Sequence, residues 1–316
     1  MNSSYRRFAG QCVLLAVSIS MTLQHATAAT TRGFIALAVP PMTPAEATSA
    51  AIDLNGDGHA DNQLGALFAM LSNTGFDFAE PVNSGEVVYL LRVTSSDGAF
   101  QTDAAAHAEW IVGQPTAPTP PDFSGNGSFQ ADPLYAPGVF TAPLVGANFL
   151  SANPVTTTAP VDVPLNLYLG SSLVLPLHGA RLTFTVAPSG LMQGQINGSV
   201  RNDDIQSILI PGLTLEINQI IASGSPDAAT LLNIFDTGCN GVGAHDGVID
   251  VCEVQGNGLI VAATAPDVDI YAPNGSYSPN PANTNRDSLS FGMRFTAANA
   301  QVTPRDVIFA NSFDMD

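Results

Sequence analysis

The sequence predicts an α+β, β-rich protein: an antiparallel β-sandwich-like body with a smaller helical part that carries an EF-hand-like loop. Three observations predict it. Short β-type runs broken by Gly, Pro, Asn and Ser clusters fill the chain up to about residue 200; apolar stripes at helical spacing follow; and oxygen-rich loops wind around glycines at calcium-ligand spacing.

The expected strands are Glu86–Val93, Ala108–Val112, Val139–Val145, Leu165–Leu169, Ser172–Leu177 and Ala180–Val186. Phe123–Phe129 reads as a tight hairpin in which Asn126-Gly127 supplies the positive φ angles. Leu64, Leu67, Phe68 and Leu71 share one helical face. Ile205, Ile208 and Leu209, then Ile217, Ile220 and Ile221, do so across an expected kink at Pro211, and Ala228, Leu231, Leu232 and Phe235 form a third stripe. All three read as core. Gln114–Pro121 is a stiff, exposed loop within the β-rich unit. The expected organisation is a signal peptide over 1–28, a β-rich domain with an N-terminal calcium-like loop over 29–200, and a helical, EF-hand-like part over 201–316 that completes the same globule.

The signal peptide is read from Arg6 and Arg7, the apolar run Cys12–Leu23 and the small-x-small site Ala26-Thr27-Ala28. The run is too short to span a bilayer, and no later segment reads as a span. A secreted destination follows: periplasm, outer surface or medium. Cleavage leaves 316 − 28 = 288 residues with 27 acidic side chains against 9 − 2 = 7 arginines, a balance that does not seek nucleic acid or anionic membrane. The chain has no lysine, which excludes a P-loop lysine, a Schiff-base lysine and a Ser-x-x-Lys pair. Cys239 and Cys252 remain as an expected disulfide in an oxidising compartment.

The most pointed motif is Asp53-Leu-Asn55-Gly-Asp57-Gly-His59-Ala-Asp61. Its side-chain oxygens stand at positions one, three, five and nine, Gly58 at six, and the carbonyl of His59 at seven: the ligand order of EF-hand and dockerin calcium loops. Carboxylates within about 5 Å repel by roughly 1 kcal/mol per pair in water, so a cation is the natural resolution. The closing Glu at twelve is replaced by Leu64, and a side chain from elsewhere or water must complete the shell. No helix-like stretch is read ahead of the loop, which sets it nearer the nine-residue loops of integrin-type and thrombospondin-type repeats. An Asx-turn loop without metal is the alternative.

A second loop runs from Phe235 to Glu253. Asp246, the Val248 carbonyl, Asp250 and Glu253 fit the second half of an EF-hand, with Asp236 or Asn240 opening an enlarged first half stapled by Cys239–Cys252. A third, worn candidate joins Asp267 and Asp269 to Asn285 and Asp287 across a Pro/Asn-rich insertion, with a solvated loop as the equal alternative. The motifs DLNGDGHADNQLG, GQINGSVRNDDIQSILIP, LLNIFDTG with DGVIDVCEV, and APDVD with DSLSFGMRF resemble uncharacterised secreted proteins of myxobacteria and other proteobacteria. That resemblance implies EF-hand-like calcium loops and no activity. The tail Ile308–Asp314 is similar to a short aromatic-acidic ending of exported gammaproteobacterial proteins.

No H-E-x-x-H and no G-x-S-x-G is present. His107 and Glu109 share a strand face and read as a rim pair rather than an acid–base pair. The expected function is a secreted protein, non-catalytic, whose fold is stabilised by Ca2+ and whose partner is an extracellular polymer or the cell surface. The alternative is an extracellular hydrolase with structural calcium, which would place two carboxylates across a groove.

Overall fold

The computed structural model describes residues 29–187, 189–239 and 243–303. The expected signal peptide, the Ile308–Asp314 tail and Asn240 lie outside the described residues. β1 (Thr30–Ala38) leads into α1 (Pro44–Ser49), α2 (Gln63–Leu71) and α3 (Glu80–Ser84). Then come β2 (Tyr89–Ser95), β3 (His107–Val112), β4 (Ser128–Gln130), β5 (Gly138–Thr141), β6 (Val155–Thr156), β7 (Val161–Tyr168), β8 (Ser172–Val186) and β9 (Met192–Arg201). The chain turns helical through α4 (Asn202–Asp204), a π turn over Ile205–Leu209, α5 (Ile210–Ala222), α6 (Ala228–Phe235), α7 (Val251–Gly256) and α8 (Gly258–Ala263), before β10 (Ser288–Thr303) returns to the sheet.

The strand order is β5-β3-β2-β1-β10-β9-β8-β6, antiparallel throughout, with β7 paired to β8 and β4 running parallel to the end of β10. The class is the expected β-rich α+β; its body is one curled sheet, a half-barrel, rather than two separate stacked layers. The curl is visible in contacts between opposite ends of the strand order. The Tyr89 hydroxyl on β2 donates to the Asn166 carbonyl on β7, and a Cβ on Gly138 of β5 would strike Val163 of β7. Alternate residues of β10 face inward: Leu289, Phe291, Met293, Phe295 and Ala297 are buried, while Arg294 and Thr296 are exposed. Within the curl, Phe68 of α2 meets Phe291 edge-on with ring centroids 5.9 Å apart, and Ile210, Leu213 and Ile217 of α5 join the same core.

Several expectations change. Ser172–Leu177 and Ala180–Val186 are one strand, β8, interrupted by a register shift between His178 and Arg181 where Gly179 takes φ +59°. Phe123–Phe129 is not a hairpin. Its positive φ falls on Gly125, and β4 pairs in parallel with β10 because the turn lies across the end of that strand. Pro211 falls in the first turn of α5, directly after the π turn over Ile205–Leu209 and within the continuous helical run 202–222. The run 202–222 is long and apolar enough to cross a membrane by length and composition, contrary to the sequence reading. Its side chains Ile205, Leu209, Ile210 and Leu213 are fully buried in the sheet's core.

Candidate metal centre

Asp53–Asp61 sits over the face of the sheet opposite the main core. Arg181 of β8 donates to the carbonyls of Asp53 and Leu54 (3.3 and 3.4 Å), and Asn197 of β9 donates to the Ala50 carbonyl (2.5 Å). A helix does enter the loop, which corrects the sequence reading: α1 is nucleated by a capping box in which Thr43 Oγ1 accepts from Glu46 N and Glu46 Oε2 accepts from Thr43 N. α1 is short and mostly exposed, so no apolar stripe marks it. The Thr43-Pro44-Ala45-Glu46 signature was its legible signal. The exit helix α2 is capped by Asn62, whose amide also grips both backbone groups of Gly292 on β10 (2.8 and 2.9 Å). Helix, loop and helix thus lie in EF-hand order.

Inside the loop, Gly56 and Gly58 take φ +85° and +86°, which aims both amides at Asp53 (2.6 and 2.9 Å). Asn55 Oδ1 accepts from Asp57 N, and Asp57 Oδ1 from His59 N. The His59 side chain is exposed, and Leu64 at position twelve is buried in the core, so neither supplies a side-chain donor to the loop.

The third candidate segment lies against this first loop. Leu54 forms a buried cluster with Val268 and Ile270, and a Cβ on Gly56 would just reach Pro281. The carboxyl of Asp61 is pushed up to about 6 by burial, then by the neighbouring charges of Asp267, Asp57 and Asp53, with His59 opposing. Asp267 is also raised, by burial, against donation from the Ser290 N–H and hydroxyl. Asn283 donates to the Asp267 carbonyl at 3.0 Å. Two buried oxygens in this joint, Asp61 Oδ2 and Asn283 Oδ1, have no hydrogen-bond partner.

Asp269 and Asp287 take their hydrogen bonds from the insertion and its flanks. Asp269 is 3% exposed and accepts from Asn280 Nδ2 and Asn285 N, while Asp287 accepts from the amides of Ile270 and Tyr271. Both fold the insertion onto itself. Asn285 contributes its backbone amide to this.

In the second loop α6 precedes and α7 follows, and Cys239–Cys252 is bridged with a Cα–Cα distance of 6.0 Å. Its acids accept from backbone amides. Asp236, 3% exposed, accepts from the amides of His245, Asp246 and Gly247. Asp250 and Glu253 cap α7 reciprocally, and the second oxygen of Glu253 takes the Gly238 amide. The side chain of Val248 is 57% exposed. Amides and the disulfide therefore organise this loop. Among the described residues, no three or more His, Cys, Asp or Glu side chains are gathered to hold an ion.

No family model, curated protein or solved structure matches this chain. Functional reading therefore rests on the residues. The acid–base alternative finds Glu109 ion-paired to Arg92 directly across β2 and β3, with His107 opposite Thr94 and Thr141. The cavity beside the segment that leads into α1 has one carboxylate in its lining, Glu46, whose Oε2 already accepts from Met42 N and Thr43 N. It lacks the carboxylate pair that a glycosidase-type groove calls for.

Proposed function

We propose that this is an exported, non-catalytic protein in which Ca2+ stabilises the fold at the joint between Asp53–Asp61 and Asp267, with a polymer or cell surface as its partner. The observation that carries the reading is the pair of buried, unpartnered oxygens beside Asp267, one of them on a carboxylate held at an unfavourable charge. Buried acceptors without donors are rare in folded proteins, and a hard cation satisfies oxygen acceptors and cancels carboxylate repulsion in one step. Asp53, Asn55, Asp57, Asp61 and the His59 carbonyl would hold the ion, with Asp267 in the place of the missing closing Glu. Export is supported by the Arg6-Arg7 leader and by the Cys239–Cys252 bridge.

Thermal unfolding in calcium and in chelator tests it. With a dissociation constant on the order of 0.1–1 mM, calcium at about 10 mM contributes roughly 1.4–2.7 kcal/mol, a rise in Tm of about 3–8 °C. Chelator should reverse the rise. An unchanged Tm removes calcium from the reading.

A further inference from the structure

A cavity of about 820 Å³ opens on the same outer face of the sheet, beside the segment that leads into α1. Its floor is written in the strand register. Thr183, Gln195 and Arg294 stand directly across β8, β9 and β10; Thr185, Gln193, Thr296 and Leu37 form the next row across β8, β9, β10 and β1. Residues two apart on a strand share a face, so both rows present their side chains to the cavity. The wall opposite is apolar: Val39, Pro40, Pro41 and Met42.

Arg294 is the decisive member. Acidic residues outnumber arginines 27 to 9 in this chain, yet the Arg294 guanidinium has no ion pair or hydrogen bond among the described residues. Glu46 lines the same cavity but turns its Oε2 to two backbone amides. The side chains of Gln193, Gln195, Thr183 and Thr296 are likewise free of hydrogen bonds to other described residues. A cation, two amides and hydroxyls facing an aliphatic wall form the mixed lining of a small-molecule site, and the volume lies within the roughly 300–1,000 Å³ such sites occupy. A planar guanidinium selects a carboxylate, which it can meet with two parallel N–H bonds.

We infer that this cavity binds a small amphiphilic carboxylate: one carboxylate on Arg294, an adjacent amide or hydroxyl on Gln195 and Gln193, and an aliphatic body along Val39–Met42. The inference stands apart from the calcium reading, since none of these side chains belongs to the metal joint.

The test is a calorimetric titration with N-octanoylglycine, and with its neutral carboxamide as the control of equal shape. At drug-like efficiency a ligand of this size binds with a Kd on the order of 1 mM. The carboxamide should bind at least tenfold more weakly, and Arg294→Gln should remove that difference while leaving Tm unchanged, because the side chain is exposed. Gln195→Leu, a second variant on the same floor, should weaken the carboxylate several-fold. Absence of saturable binding by N-octanoylglycine, equal binding of the carboxamide, or full binding by Arg294→Gln would overturn the assignment.

Discussion

At Asp61, a carboxylate that chemistry would ordinarily ionise near 3.8 is held up to about 6 by burial and by three neighbouring acids. Its folded-state pKa lies above its unfolded value, so the folded chain binds more protons in between. The calcium-free protein should therefore lose stability as pH rises from about 4 through about 6 and level off above. Calcium must displace that proton, so its Tm increment should grow across the same window; melting curves with and without calcium at both ends check this. Asp61→Asn should raise the calcium-free Tm by a few degrees and abolish the calcium increment. Asp103 behaves oppositely. Burial disfavours its charge, but the Ser96 and Ala105 amides and the Ser95 and Ser96 hydroxyls outweigh that and hold it down at about 2. The stability it contributes is present above about 4 and is lost as pH falls toward about 2. Asp103→Ala, which leaves buried donors unpaired, should cost about 1–3 kcal/mol in denaturant unfolding.

Among the elements, the two loops that share a calcium-like spelling are held by different means. The first is joined to the 267–287 segment through Leu54, which is 2% exposed against Val268 and Ile270. Leu54→Ala should cost about 2–5 kcal/mol and loosen both partners together, seen as increased amide exchange on either side of the joint. The second is held by its disulfide and by Asp236, so the Cys239→Ala/Cys252→Ala double variant should lose roughly 3 kcal/mol with no change in calcium response. Helices with apolar stripes, such as those at Leu64–Leu71 and Ala228–Phe235, were legible because their burial is periodic. β1, β9 and β10 were not read as strands, although they occupy the centre of the sheet. β9 and β10 are rich in Gly, Ser and Asn for a packing reason: a Cβ on Gly292 would collide with the Ala50 carbonyl, and one on Gly198 with Leu177. Their β signal is weakest where other groups approach the sheet most closely.

For the whole molecule, the position of β10 matters most. By pairing with β1 on one side and β9 on the other, it is a keystone of the sheet, and the start of α2, just after the Asp53–Asp61 loop, is tied to its first half through Gly292 and Ser290. The spelling of Asp53–Asp61 was readable at once, but its nearness to Asp267 was not, because Asp267 lies over two hundred residues away and only the closure of the sheet brings it near. A cation there would tie two segments about two hundred residues apart in sequence, and the loop would then act as a fastener of the fold more than as a self-contained sensor. The most direct test is an isothermal calcium titration of the wild-type chain beside Asp267→Asn. The expected result is uptake with a Kd on the order of 0.1–1 mM, weakened about tenfold in the variant. Absence of millimolar calcium uptake, or equal affinity in the two proteins, would contradict the composite site.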